Sequence, residues 1–245
     1  MEHEPWLTAL FNDYLPGAGN ALIGIVGDHA VNPLRPWSTP VVMELLVAFL
    51  IVVVFAMLRA GLSMDRPGSL QHIFELVYHF LKEQADENIG HGAGKYLPFF
   101  GTLFLFILFA NLLGIVPTFE SPTMFPEVPF GLAILAFAYY NWAGMASQGV
   151  GKYLAHFAGP MPILAPLMVP IEIISNLARP LSLTVRLFAN MYAGEQVTLV
   201  FISMVPLVVP VVFMVLHLFV GVLQAYVFTL LTMIYVAGAV VHDEH

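Results

Sequence analysis

The chain has 245 residues, 59% hydrophobic and 10% charged, with a net charge of −8 and no cysteine. Soluble domains carry about 25% charged residues, so the composition excludes an average soluble domain. The missing cysteines exclude a disulfide framework, a cysteine zinc site and thiol chemistry, and the acidic balance argues against nucleic acid as a partner.

Several apolar runs approach or exceed the ~20 residues that cross a bilayer as helix. None alternates as the strands of a lipid-facing barrel would. The expected fold is all-α and polytopic, a single membrane domain over 1–245 with about five crossings. Internal repeats and low-complexity segments are absent, and the first 35 residues lack the basic start and apolar core of a signal peptide.

Residues 1–38 read as an extramembrane arm, irregular because of Pro5, Pro16, Gly17, Gly19, Pro33 and Pro36, with a short helix near Ala21–Ala30. Asp28 and His29 read as solvated loop residues. The first crossing is Thr39–Leu58, with Trp37 as an interfacial anchor at its mouth and Glu44 near its start. The 59–95 loop holds Arg59, Arg66, Lys82 and Lys95. Within it Gln71–Gln84 is amphipathic, with Ile73, Phe74, Val77, Phe80 and Leu81 at helical spacing, and predicts a helix on the membrane surface. His72 and His79, seven apart, read as an interfacial pair rather than metal or haem ligands.

The second and third crossings are Leu97–Val116 and Phe130–Ser147, and Asn111 and Asn141 inside them are expected to bond neighbouring helices. Lys152 and His156 follow in the next loop. The 59–95 and 148–161 loops carry the Lys and Arg residues that count as basic for orientation, and the 117–129 turn, with Glu120 and Glu127, carries none. This places the basic loops and the C-terminus in the cytoplasm and the N-terminus outside.

The last two runs, Ile163–Ile202 and Leu207–Val241, would extend ~60 Å and ~50 Å as helices, against ~30 Å of hydrocarbon. A steeply slanted antiparallel hairpin turning at Ser203–Pro206 fits them, with kinks permitted at Pro166, Pro170, Pro180 and Pro210. This 162–241 hairpin carries the ionisable residues that need a reason. Glu172, Arg179, Arg186 and Glu195 lie in one apolar run, where each charge costs roughly 2.5–3.5 kcal/mol on insertion scales. Such residues face protein or water and mark an ion path.

At 100° per residue, Glu172, Asn176, Arg179, Arg186 and Asn190 share one stripe, with Ser182 and Leu183 between the arginines. Glu195, nine residues past Arg186, falls on about the opposite face. In the last helix His217 and Gln224 are seven apart, with Tyr235 near the same line. His217 and Glu195 lie at similar distances from the bend, so they are expected to meet across the hairpin. A Glu–His pair at that depth exchanges protons near neutral pH if its surroundings bring the two pKa values together.

Arg186-Leu-Phe-Ala-Asn-Met-Tyr-Ala-Gly-Glu195, preceded by Arg179-Pro-Leu-Ser and followed by His217 and Gln224-Ala-Tyr-Val-Phe, resembles the subunit a family of F-type ATP synthases. Gly114-Ile-Val-Pro-Thr118 is also similar, and Ala189 stands where many members carry Gly. The resemblance implies a stator that faces a rotor ring of c subunits and is held by peripheral-stalk b subunits in a bacterial inner membrane. It implies two offset half-channels serving a carboxylate on the ring, with Arg186 as the fixed cation between them. Glu195, His217 and Gln224 match the family's outer half-channel residues, and Asn190 would line the ring interface. Glu172, Arg179 and Ser182 are candidates for the inner half-channel, with a structural Glu172–Arg179 bridge as the equal alternative. Met191, Tyr192 and the Phe-rich surfaces are expected to be packing.

The resemblance implies no cofactor, no metal and no catalytic residue in this chain. The ion is H+, with Na+ left open because selectivity sits largely around the ring carboxylate. A self-contained secondary transporter would need a central site between repeats, and a haem-bearing anchor would need histidines paired at matched depth. The sequence offers neither.

Overall fold

The computed structural model describes residues 5–25, 32–63, 68–90, 92–116, 119–156, 165–204 and 208–240. Asp28, His29, Ala30, Arg66, Pro117, Thr118, Ile163, Pro206, Leu207 and Val241, named above, lie outside the described residues, as do His3, His242 and His245. All regular elements among the described residues are helical: α1 Trp6–Tyr14, α2 Pro16–Ile25, α3 Thr39–Ala60, α4 Ser69–Ile89, α5 Leu97–Leu113, α6 Glu127–Gln148, α7 Val150–His156, α8 Ala165–Met204 and α9 Val208–Val240. The chain is an all-α polytopic membrane protein. By length and composition α3, α6 and Val211–Val240 can each cross a membrane, and α5 is a shorter apolar helix.

The predicted crossings reappear within a few residues at each end. The apolar periods that set them are long, and Pro40 and Pro98 sit in the first turns of α3 and α5, where a missing N–H costs nothing. The N-terminal arm differs from expectation. Its described residues hold two consecutive helices where one short helix is expected, because Pro16 starts α2 instead of merely ending α1, and 32–38 are irregular as expected. Trp37 is not a free anchor either. It is buried beneath the arm, its indole N–H donating to the Leu15 carbonyl at 2.8 Å and its backbone bracketed by the Asn12 amide at 2.9 and 3.1 Å.

α4 ends at Gly90, whose φ of 80° favours a residue without a Cβ. Its Leu81 and Ala85 are buried, and Phe80 and Gln84 meet Tyr226 of α9. The surface helix is therefore packed on the bundle, while Ile73 and Leu76 remain exposed on another side.

The core lies where α5, α6, α8 and α9 meet, around Phe100, Ile107, Tyr140, Leu183, Leu187, Met191, Phe228 and Met233. Asn111 of α5 donates to the Gly221 carbonyl of α9 at 2.9 Å and accepts from Thr123 at 2.7 Å. It bonds the neighbouring helix as the sequence predicts and also ties down the turn before α6.

α8, with 40 residues, spans about 60 Å. It runs antiparallel to α9 in a fixed register. Phe201 stacks on Phe213, Asn190 donates to Gln224, and Arg179 lies over Tyr235. The contacts are spaced eleven residues apart on both helices: 179, 190 and 201 on one, 213, 224 and 235 on the other. Eleven residues make three turns of 3.67, so each contact recurs on the same side of both rods.

Pro180 removes the donor that would serve the Asn176 carbonyl in α8. Tyr140 of α6 supplies a replacement, its hydroxyl reaching that carbonyl at 3.4 Å and also donating to the Asn176 side chain. The sequence predicts kinks at Pro170 and Pro180 as permitted, and α8 continues through both.

Candidate functional site

Arg186 is half-buried on α8, at the edge between its packed and open faces. The packed face carries Leu183, Leu187 and Met191, and the open face carries Leu181, Val185 and Tyr192. Ala178, Ser182, Ala189 and Ala193 are also exposed there. Short side chains on an exposed membrane helix let another helix approach closely. No hydrogen bond or ion pair joins Arg186 to another described residue. Ser182 thus belongs to the open face beside Arg186, not to the polar stripe between the arginines. Tyr192 is exposed and stacks on Phe188, whereas Met191 is packed as expected.

One turn from Arg186, Asn190 donates to Gln224 Oε1 across the hairpin at 2.9 Å. Gln224 is buried, and its Nε2 has no hydrogen-bond partner among the described residues. A buried donor left over in this way needs a further acceptor, from water or from a group on another chain.

Glu195 and His217 do come together. They line one cavity of about 150 Å³ with Gly114, Phe119, Thr198 and Met214. Gly194 makes the approach possible, because a Cβ there would run into the His217 ring. The cavity takes several waters at ~30 Å³ each and has a carboxyl and an imidazole in its wall. Glu120, in the turn after α5, is close enough to Glu195 for their charges to interact. Glu195 and Arg186 serve different surroundings, as their nine-residue spacing predicts. In the sequence Glu120 marks only an acidic outer turn; its nearness to Glu195 appears once the turn after Asn111 has folded.

The other candidates gather toward the opposite end of the hairpin. Arg179 approaches Glu172 at 4.0 Å, with both side chains partly exposed, a geometry worth about 0–1 kcal/mol. The Arg179 guanidinium lies 5.1 Å from the Tyr235 ring centre and 5.9 Å from that of Tyr140, so the two rings hold it by their π faces. Beside it Asn141 Oδ1 accepts from Tyr153 at 2.7 Å and from Asn176 at 3.4 Å. Burial pushes the Tyr153 phenol, in α7 outside the spans, above its usual pKa, which keeps it a donor. Asn176 is part of the sequence's polar stripe, but Tyr140 and Tyr153 escape a motif search because only their meeting with it in space makes a cluster. His72 and His79 are surface residues of α4, and among the described residues no three potential metal ligands converge.

The family profile described as ATP synthase A chain matches residues 41–237. A protein of Solibacter usitatus named ATP synthase subunit a is 66% identical over 235 residues, covering 96% of this chain and 100% of that protein. Its namesake in Koribacter versatilis is 46% identical over 244 residues, covering 100% of both chains. One from Sulfurihydrogenibium is 42% identical over 205 residues, covering 84% of this chain and 98% of its own length. With its motif, its hairpin and a family match across most of its length, the chain belongs to the ATP synthase subunit a family.

Proposed function

We propose that this chain is the stator of the membrane motor, passing protons to and from a rotor-ring carboxylate through two offset half-channels. The observation that carries this reading is Arg186: a cation without a partner among the described residues, beside an exposed strip of short side chains. A guanidinium stays charged at any working pH, whereas a buried lysine can lose its proton. Next to Arg186 a ring carboxylate ionises, and facing lipid it takes a proton. That alternation couples proton passage to rotation, and the standing charge blocks a direct leak between half-channels. Each charge crossing the field gains ~2.3 kcal/mol per 100 mV.

Glu195, His217 and their shared cavity supply the outer half-channel, with Glu120 at its approach. Gln224 Nε2 offers the incoming carboxylate or its water a donor, and Asn190 holds Gln224 in place. Glu172, Arg179 and Ser182 belong to the inner half-channel. The chain performs no bond chemistry. It has no G-x-x-x-x-G-K phosphate loop, and ATP is handled by other subunits. The c ring, the b subunits and lipid are its partners, in a bacterial inner membrane with the N-terminus outside.

Arg186→Ala tests the reading. The variant is expected to assemble with its partners and to lose ATP-driven proton pumping, measured in inverted membrane vesicles. Normal coupled pumping in that variant overturns the assignment.

A further inference from the structure

α3, α4 and α5 do not close on one another. A cavity of about 550 Å³ lies between the end of α3, the first half of α4 and the start of α5. Its origin is visible in the sequence: Gly94 and Gly101, seven residues apart, both line it, and a Cβ at either would meet nothing within 4 Å. Leu58, Phe74 and Leu105 make much of the wall apolar.

The polar groups are unevenly placed. Thr102 turns its hydroxyl back to the Pro98 carbonyl at 2.8 Å. Gln71 donates to Glu75 at 2.8 Å and brackets the backbone of Ser63, so both mark the end of the cavity beside the α3–α4 connection. Glu75 is half-exposed, with His72 3.8 Å from its second oxygen. The cavity is thus a largely apolar chamber with a carboxylate at one end, where a spanning helix stops and an amphipathic helix begins.

We propose that this chamber holds one acyl chain of a phospholipid whose headgroup carries a primary amine, with the ammonium on Glu75. The volume falls within the ~300–1,000 Å³ range of small-ligand sites. A helix about 10–12 Å across would fill it in roughly one turn, so a flexible acyl chain fits where a partner's spanning helix does not. The carboxylate attracts an ammonium and repels a headgroup with net negative charge. This site is separate from the ion path.

The test uses the full chain reconstituted in vesicles of equal phosphatidylethanolamine and phosphatidylglycerol, extracted in mild detergent and weighed intact by native mass spectrometry. The wild-type chain is expected to retain phosphatidylethanolamine over phosphatidylglycerol by about two- to fivefold, the scale of one exposed ion pair. Glu75→Gln should bring the two lipids to parity. Gly101→Leu, which grows into open space, should lower retention of both. Equal retention by the wild-type chain, an undiminished preference in Glu75→Gln, or unchanged lipid in Gly101→Leu overturns the proposal. So does loss of a copurifying protein instead of lipid when Gly101→Leu is prepared in the whole complex.

Discussion

The ring of His217 rests on the Cα of Gly194, in the space any larger residue would need for its Cβ. The two helices of the hairpin touch there without an intervening side chain, which holds the imidazole beside Glu195 in their common cavity. Gly194→Ala should push the ring aside. Overpacking of this kind costs about 1–3 kcal/mol, so the assembled complex should melt at a lower temperature and pump more slowly. Unchanged pumping would mean that the position of His217 over Gly194 has no part in transport.

Glu195→Leu removes the carboxyl from the cavity but keeps an apolar residue of similar length. Pumping is expected to fall by roughly 10²-fold, the scale of a positioned proton carrier, while the yield of assembled complex stays near wild type. A lower yield with normal transport in the surviving complexes would assign Glu195 a packing role instead.

The Asn190–Gln224 bond ties the hairpin together one turn from Arg186. Interhelical bonds in membrane proteins average about 0.6 kcal/mol in double-mutant cycles. Asn190→Leu should cost that much in thermal stability of the complex, and nothing further once Gln224→Leu is present. Additive losses would show that the two side chains act independently.

Tyr140→Phe should be the costlier change in the other polar cluster. It leaves two Asn176 acceptors without their donor from α6, a loss of about 1–3 kcal/mol. Glu172→Gln, which breaks only a partly exposed 4.0 Å pair, should cost under about 1 kcal/mol. Thermal unfolding of the two variants side by side checks the order, and the reverse order would make the ion pair the structural element.

Hydropathy and helical spacing carry much of this architecture, because a span must be long and apolar whatever it packs against. They place α3, α5, α6 and the hairpin, and the matched distances of Glu195 and His217 from the bend bring those two together. What escapes is the part decided by contact between distant segments. Asn12 and Trp37 are 25 residues apart and bond only once the arm has folded back. Tyr140 reads as one aromatic among many until Pro180, forty residues later, strips a carbonyl of its donor. Ser182 falls on the open face because the polar stripe drawn on an ideal helix is wider than the face α6 and α9 cover.

Three contacts at equal intervals, 179 with 235, 190 with 224 and 201 with 213, make the hairpin behave as a riveted beam. Sliding one helix past the other by a single residue would break all three at once, since all three pairs belong to one register. A sideways load at Arg186 therefore meets the stiffness of both rods together, which holds the guanidinium at one height along the hairpin.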